Sequence, residues 1–243
     1  MITATLGSTG LVVGRLGLGC ARPSRLGLDT GGTVADAVRV IHGAIDLGVN
    51  VIDTAPAYGT EDVVGEALAG VRRDGVILCT KTLRGLAVRA GWEGLVQRTL
   101  SNLDKSLRAL RTDSIDVFYL HHISPGVYRR AFSILWEPLC RQRDAGKIRF
   151  LGISETWPKD QDHRTLFQAN LDPWDVIMHG PERGLYAPQH GAGAVVMAPR
   201  SVGYAKALYE TEADVVLCGT GNLEHLAENI MEIENDPVNC HTA

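Results

Sequence analysis

Short runs of β-forming residues alternate along this chain with segments of helical periodicity, a rhythm that predicts an α/β fold of parallel strands joined by crossover helices. Two further observations sharpen the class to a (β/α)₈ TIM barrel. Eight β-rich runs follow an N-terminal hairpin. The length of 243 residues lies near the ~250 typical of one such barrel. No linker or internal repeat divides the chain, so a single domain over residues 1–243 is expected.

The elements follow in order. Residues 3–14, with the Gly-Ser-Thr-Gly turn at their middle, read as an antiparallel hairpin. A first strand over residues 15–19 leads through a Gly/Pro/Arg loop into a helix over about 33–47. Asn50, Val51 and Ile52 deliver Asp53 to a strand end; a Pro/Gly-punctuated turn then presents Tyr58, and a helix begins near Glu61. The run 76–80 stops at Lys81, and the run 115–120 stops at His121. Between them, residues 92–110 carry Leu95, Leu100, Leu103, Leu107 and Leu110 at helical spacing, a packing stripe. A helix over about 128–145 meets Gly146, suited to a C-cap. The remaining strands are 150–153, 175–178, 194–197 and 214–217, and a last helix covers about 223–233. Residues 180–194 and 200–214 leave room for one short helix each, so loops and helices are shortened there. The barrel is then either closed behind thin walls or imperfectly closed.

Composition excludes several classes of function. With 45% hydrophobic and 21% charged residues the chain reads as soluble and globular. A net charge of -4, without a Lys/Arg run, offers nucleic acid no basic surface. No apolar stretch approaches the ~18 residues that cross a membrane, and the N-terminus lacks a signal-peptide layout. Cys20, Cys79, Cys140, Cys218 and Cys240 are odd in number and scattered, which argues for reduced thiols in a cytoplasm and against a disulfide frame or structural zinc.

Asp53, Tyr58, Lys81 and His121 follow three different strands, at the strand ends where α/β folds do their chemistry. Each has a plainer reading. Asp53 suits a turn cap, Tyr58 a packed rim aromatic, Lys81 a solvated strand-end lysine, and His121 a core histidine beside a functional His122. Their joint placement favours a site. With DTAPAYG (residues 53–59), the Thr80-Lys81 pair, SNLDKSLRALRTDSIDVFYLHH (101–122) and GKIRFLGIS (146–154), the chain resembles the aldo-keto reductase family over nearly its whole length.

That resemblance implies a catalytic tetrad of Asp53, Tyr58, Lys81 and His121. Tyr58 protonates the carbonyl oxygen as a nicotinamide hydride arrives. Lowering its pKa of ~10 by about two units needs ~2.7 kcal/mol. An ammonium about 4 Å away supplies up to ~4 kcal/mol at an effective dielectric of 20, so Lys81 is expected to achieve this alone. Asp53 aims Lys81, and His121 orients the carbonyl.

The resemblance also implies a coenzyme site. Gly219, Thr220 and Gly221, entering a helix N-terminus, would face the phosphates, and Glu228 and Asn229 the adenine. Ser154 would hold the carboxamide. Three departures stand out: Glu155 replaces an amide, Met178 replaces a glutamine, and Met197 replaces a stacking tyrosine. The cations many members aim at a 2′-phosphate fall at Gly219 and His225, which leaves Arg200 and His225 for that task. NADP(H) is the expected coenzyme, with NAD(H) as the alternative and no metal. The expected activity is reduction of small aldehydes, ketones or sugar carbonyls to alcohols. A coenzyme-binding but catalytically weak regulatory or redox-sensing protein is the first rival, favoured by the altered nicotinamide pocket. An isomerase using Lys81 as a Schiff base is the second. Specificity is expected in loops 20–29, 83–92 and 123–128; nothing in the sequence bears on oligomeric state.

Overall fold

The computed structural model describes residues 1–82, 91–123, 125–155, 174–181, 191–198 and 200–236. The N-terminal hairpin pairs β1 (Thr3–Thr5) with β2 (Val12–Gly14) antiparallel. Eight parallel strands follow: β3 (Leu16–Gly19), β4 (Val51–Asp53), β5 (Ile77–Lys81), β6 (Ile115–Ile123), β7 (Ile148–Glu155), β8 (Val176–His179), β9 (Gly193–Met197) and β10 (Val215–Cys218). They close in chain order, and the last seam is the β10–β3 ladder, where Val216 is registered with Leu16. The barrel is therefore closed, and of the two expectations for the C-terminal third the imperfect closure is excluded.

A closed parallel sheet buries both faces, which is why its strands are apolar runs without alternation. Every residue of β4 and β10 is buried. One face fills the barrel: Val117, Tyr119, Val176 and Val215 meet Leu6, Leu11 and Val13 of the hairpin region. Gly7 N–H donates to Asp214, and Ser8 N–H to the Gly191 carbonyl, so the hairpin plugs the end where β9 and β10 start. The Tyr119 ring leans over Gly152 of β7, where an added Cβ would lie 2.5 Å from it. The other face packs Leu18, Ile52, Leu78 and Phe118 beneath the helices.

A recurring device ties the bottom rim. At or just before the start of alternate strands, Asn50, Asp116, Asp175 and Asp214 accept the backbone N–H of Gly14, Leu78, Leu151 and Ala194 at 2.8, 2.8, 2.8 and 2.9 Å. The three bonds to aspartates contribute ~1.5–3 kcal/mol each and the one to the neutral Asn50 amide about 1 kcal/mol, and all four fix register far from the mouth.

The described helices are α1 (Val34–Asp46), α2 (Glu61–Leu68), α3 (Leu95–Ala109), α4 (Pro125–Asp144), α5 (Tyr204–Glu210) and α6 (Leu223–Glu234). Thr33 and Asp36 form a capping box on α1. Helix α3 starts at Leu95, later than expected, because Gly94 before it takes a left-handed φ of 65°. Helix α4 starts earlier, with Pro125 in the first turn where no N–H is needed, and ends ahead of Gly146 at φ 77°. Leu95, Leu103, Leu107 and Leu110 are buried and Leu100 is half-buried, which makes that stripe a packing face as read. Helix α5 has 7 residues, so the wall there is thin.

Helices α2 and α3 meet across Gly65. A Cβ there would lie 2.1 Å from the Ala109 carbonyl oxygen and 2.9 Å from Leu110 backbone atoms, none of which can rotate away. Gly65→Ala is expected to cost about 1–3 kcal/mol in urea denaturation, despite the better helix propensity of alanine. Gly75→Ala, with nothing within 4 Å of the new methyl, should leave the midpoint near that of the parent. Equal midpoints for the two variants would show that the α2–α3 contact has slack.

Candidate active site

Strand β4 ends on Asp53 and neighbouring β5 ends on Lys81, so the barrel brings a carboxylate and an ammonium together inside its mouth. Asp53 is 3% exposed and Lys81 1%. Lys81 Nζ donates to Asp53 Oδ1 and Oδ2 at 2.5 and 2.6 Å, and to the Thr54 carbonyl at 3.0 Å. Burial is the largest single influence and weighs against the ammonium, but the attraction and hydrogen bond of the Asp53 carboxylate, with Tyr58 adding to them, together hold Lys81 above the ordinary lysine range. Burial likewise pushes the Asp53 carboxyl up, against the pull of Lys81.

Pro56–Tyr58 forms a single 3-10 turn, pre-set by proline and closed by Gly59 at φ 65°. This turn holds the Tyr58 ring 5.0 Å from Lys81 Nζ and edge-on to the His121 ring, 5.7 Å between centroids. His121 owes its place to a β-bulge. Leu120 is registered with Ile153 but Ile123 with Glu155, so β6 holds one extra residue, and His122 takes a left-handed φ of 57°. The ring that meets Tyr58 is that of His121, and His122 lies behind it at 6.3 Å. The His121 N–H donates to the Thr82 hydroxyl at 2.9 Å. All four expected tetrad residues thus share one site.

One expectation is corrected. Burial raises the Tyr58 pKa above its ordinary value, and the opposing attraction of Lys81 is the smaller influence. The Coulomb sum that favoured a lowered value used one partner. Asp53 answers the Lys81 charge at contact distance and itself raises Tyr58. In this state Tyr58 is a held proton, not a phenolate. Cys20, whose N–H donates to the Asp53 carbonyl at 2.8 Å, is pushed well up by burial and stays a neutral thiol.

The residues expected on the coenzyme side are spread around the mouth. Ser154 and Met178 are buried partners in the β7–β8 ladder. Glu155 ends β7, and its side chain lies outside the described residues. Met197 is half-buried at the end of β9. Gly219 follows β10 and is exposed, and a Cβ on it would meet little more than the Gly19 carbonyl oxygen at 3.7 Å. Gly19 ends β3 and Gly219 lies one residue beyond the end of β10, and these two strands stand across the barrel from the strand that carries His121. Thr220 is buried and bonded to the Asn222 backbone. Gly221 has a different reason to be glycine: its Cβ would lie 2.4 Å from Gly27 backbone atoms of the β3–α1 loop.

Asn222 caps α6 by accepting from the N–H groups of Glu224 and His225 at 2.7 and 3.3 Å. That cap takes up two of the N–H groups at the start of α6. His225 is exposed in the first turn. Arg200 pairs with Glu228 at 3.4 Å, and both are largely exposed. Asn229 is turned inward, its amide on Cys218 Sγ at 3.1 Å. The exposed backbone at Gly219, where a Cβ would meet nothing nearer than 3.7 Å, has room for an anion such as a phosphate. Of the expected specificity loops, residues 83–90 and 124 lie outside the described residues, as does Cys240. The described cysteines are free thiols. Among the described residues no group of His, Cys, Asp or Glu is placed to hold a metal ion, and no helix is long and apolar enough to cross a membrane.

Removing the cation from the buried pair tests its role. Lys81→Met strands Asp53 without a partner, a loss of ~3–5 kcal/mol for such pairs. Without Lys81 the Asp53 pKa, already raised by burial, rises further. A raised folded-state pKa gives stability that is present below the unfolded value of ~3.9 and lost as pH rises through the folded one. The deficit of Lys81→Met is therefore expected to grow between about pH 4 and neutrality, and Asp53→Asn in the same chain should restore most of it. Urea denaturation at several pH values checks this; a deficit independent of pH would show that Asp53 is not left charged.

A model of the Aldo/keto reductase family matches residues 15–164. L-galactose dehydrogenase from Arabidopsis thaliana is 30% identical over 215 residues, covering 82% of this chain and 65% of that protein. Aldo-keto reductase YhdN from Bacillus subtilis is 36% identical over 163 residues, 62% of this chain and 46% of that one. 6-dehydroglucose reductase from Novosphingobium aromaticivorans is 30% identical over 167 residues, 64% and 52%. The matched stretches thus span between about half and two thirds of these relatives. In fold, the chain superposes on the aldo-keto reductase AKR11C1 from Bacillus halodurans, in holo and apo forms, with TM-scores of 0.74 and 0.73 at 23% identity, covering 98% of this chain and 92% of that one. With the family model matched over more than half of its length, on a closed eight-stranded barrel, the chain belongs to the aldo/keto reductase family.

Proposed function

We propose that this protein is an NAD(P)H-dependent reductase of small aldehydes, ketones or sugar carbonyls, with Tyr58 as the proton donor. The observation that carries the reading is the contact of Tyr58 with both a charged, buried Lys81 and the His121 ring. The coenzyme supplies the hydride. Tyr58 gives its proton to the carbonyl oxygen, His121 orients that oxygen, and Lys81, held by Asp53, attracts the phenolate left behind. Gly219 and Thr220 would take the phosphates through their backbone, and Ser154 the carboxamide. The two relatives named for galactose and dehydroglucose make sugar carbonyls the first substrates to try.

The Schiff-base alternative needs a neutral Lys81, whereas Asp53 keeps the amine protonated. The catalytically weak alternative is favoured by Met178, a thioether where an amide would grip the nicotinamide. A protein of that kind would bind coenzyme without turnover.

Tyr58→Phe separates these readings. Carbonyl reduction should fall ~10²–10⁴-fold, chiefly in kcat, while coenzyme affinity measured by fluorescence stays nearly constant. Unchanged turnover would remove Tyr58 from the chemistry. Since burial holds the phenol above its ordinary value, reduction should keep its rate through neutral pH and lose it only as pH rises through that raised pKa. Oxidation of the alcohol, which needs the phenolate, should quicken as pH rises.

For coenzyme choice, we favour NADP(H) with a modest preference. Arg200 is already paired with Glu228, so a 2′-phosphate would have to displace that carboxylate. An exposed pair of this kind contributes up to ~1 kcal/mol, about fivefold in affinity. Glu228→Gln should therefore raise NADPH affinity severalfold over NADH, and Arg200→Ala should lower it. Equal responses of the two coenzymes would place the 2′ recognition on His225 or elsewhere.

A further inference from the structure

Tyr58 stands on one short turn, whose own backbone bonds run from the N–H of Tyr58 to Ala55 and of Gly59 to Pro56. A further set of contacts on this turn comes from the β3–α1 loop. Arg25 Nε donates to the Tyr58 carbonyl at 2.8 Å, and Nη2 to the Gly59 carbonyl at 3.2 Å. Its remaining arm, Nη1, pairs with Asp29 at 3.0 Å, and Asp29 also takes Arg22 at 2.9 Å. One planar fork thus spans both carbonyls of the residues that carry and close the turn, while a carboxylate fixes the fork from behind. Lysine, a point donor, cannot reproduce that geometry.

The loop is itself held in a costly shape. Arg25 and Leu26 are consecutive non-glycine residues at left-handed φ of 46° and 61°, followed by Gly27 at 94°. Such conformations persist where surrounding contacts over-determine them, and they cluster at functional sites. Here Leu26 is fully buried, and Gly27 lies against Gly221 on the far side of the loop. The strained segment is clamped between the β10–α6 turn and the Tyr58 turn, with the Arg25 side chain as the link to the latter.

We propose that Arg25 is a positioning residue for the reaction, acting through the backbone of Tyr58 and touching neither substrate nor coenzyme. The proposal rests on the reading of Tyr58 as proton donor. A displacement of about 1 Å in a reacting group can cost ~10²-fold in rate, so loosening this turn should be felt in catalysis more than in binding.

The test is a cycle of Arg25→Ala, Tyr58→Phe and the double variant, assayed for carbonyl reduction, with coenzyme affinity followed by fluorescence and folding by thermal melting. Arg25→Ala is expected to lower kcat by about 10–100-fold, with substrate KM and coenzyme Kd within about threefold of the parent. The double variant should be no slower than Tyr58→Phe, because Arg25 has nothing left to position. Arg25→Lys, which keeps charge and much of the volume, should recover little of kcat, and it replaces Arg25→Ala in the cycle if that variant fails to fold. Losses that multiply in the double variant would show an independent structural role and overturn the proposal. So would a full kcat in Arg25→Ala beside a slow Tyr58→Phe. A fully active Tyr58→Phe would instead defeat the reading of Tyr58 itself, and the proposal with it.

Discussion

The site depends on one buried ion pair. Placing an ammonium and a carboxylate inside a barrel costs several kcal/mol per ion in lost hydration, and the pair is retained only where contact and further hydrogen bonds offset this. Both conditions are met: Lys81 Nζ has two Asp53 oxygens and the Thr54 carbonyl within 3.0 Å, and it also hydrogen-bonds the Tyr58 side chain. Burial is the largest influence on Tyr58 and raises its pKa, while Lys81 attracts and hydrogen-bonds the phenol and the Asp53 carboxylate partly opposes that attraction. Reduction needs a donor that keeps its proton until charge develops on the substrate oxygen, and this resting state provides one.

The rest of the barrel makes such a pair tenable. Below it the interior is filled, with the Tyr119 ring 5.7 Å from Lys81 Nζ and accommodated by the bare backbone of Gly152. The hairpin closes the far end, and the four rim side chains lock strand register there. Buried, mostly apolar side chains fill the barrel beneath the pair, which leaves the site's polar groups at the mouth. There Gly219, just past β10, is exposed, and His121 of β6 stands across the barrel from it.

Much of this was legible in the sequence because it is local. Runs such as 76–80 and 115–120 are apolar as two-sided burial requires, and the polar residue that ends each one marks where the barrel opens. What escaped is non-local. The family resemblance names His121, but the reason that it and not His122 faces Tyr58, a bulge in the β6–β7 ladder, is not encoded in the dipeptide. Gly221 looked like a phosphate-approach glycine, yet the backbone of Gly27, nearly two hundred positions away, already demands it. Arg25 gave no signal at all, since nothing in a Gly/Pro/Arg loop announces two carbonyls beyond the next helix. The Tyr58 pKa was misjudged because a pairwise sum left out both the counter-charge on Lys81 and desolvation.

The thin C-terminal wall bears on the same question of what holds the site in shape. Helix α5 is short, yet Glu232 of α6 accepts the Ala205 N–H at 3.1 Å, and the chain's own ammonium at Met1 pairs with Glu234 at 2.8 Å. The last helix is thus tied to α5 and to the first residue, across the seam where β10 meets β3. The loops that leave those two strands then meet at Gly27 and Gly221, and the first continues through Arg25 to the Tyr58 turn. Closing the barrel and placing the phenol are therefore parts of one contact chain: the β3–α1 loop leaves the seam, and its Arg25 holds the Tyr58 turn beside the buried, ion-paired Lys81. A barrel of this length tolerates a lean wall because the contacts that matter for its chemistry run through the seam and not through the missing helix turns.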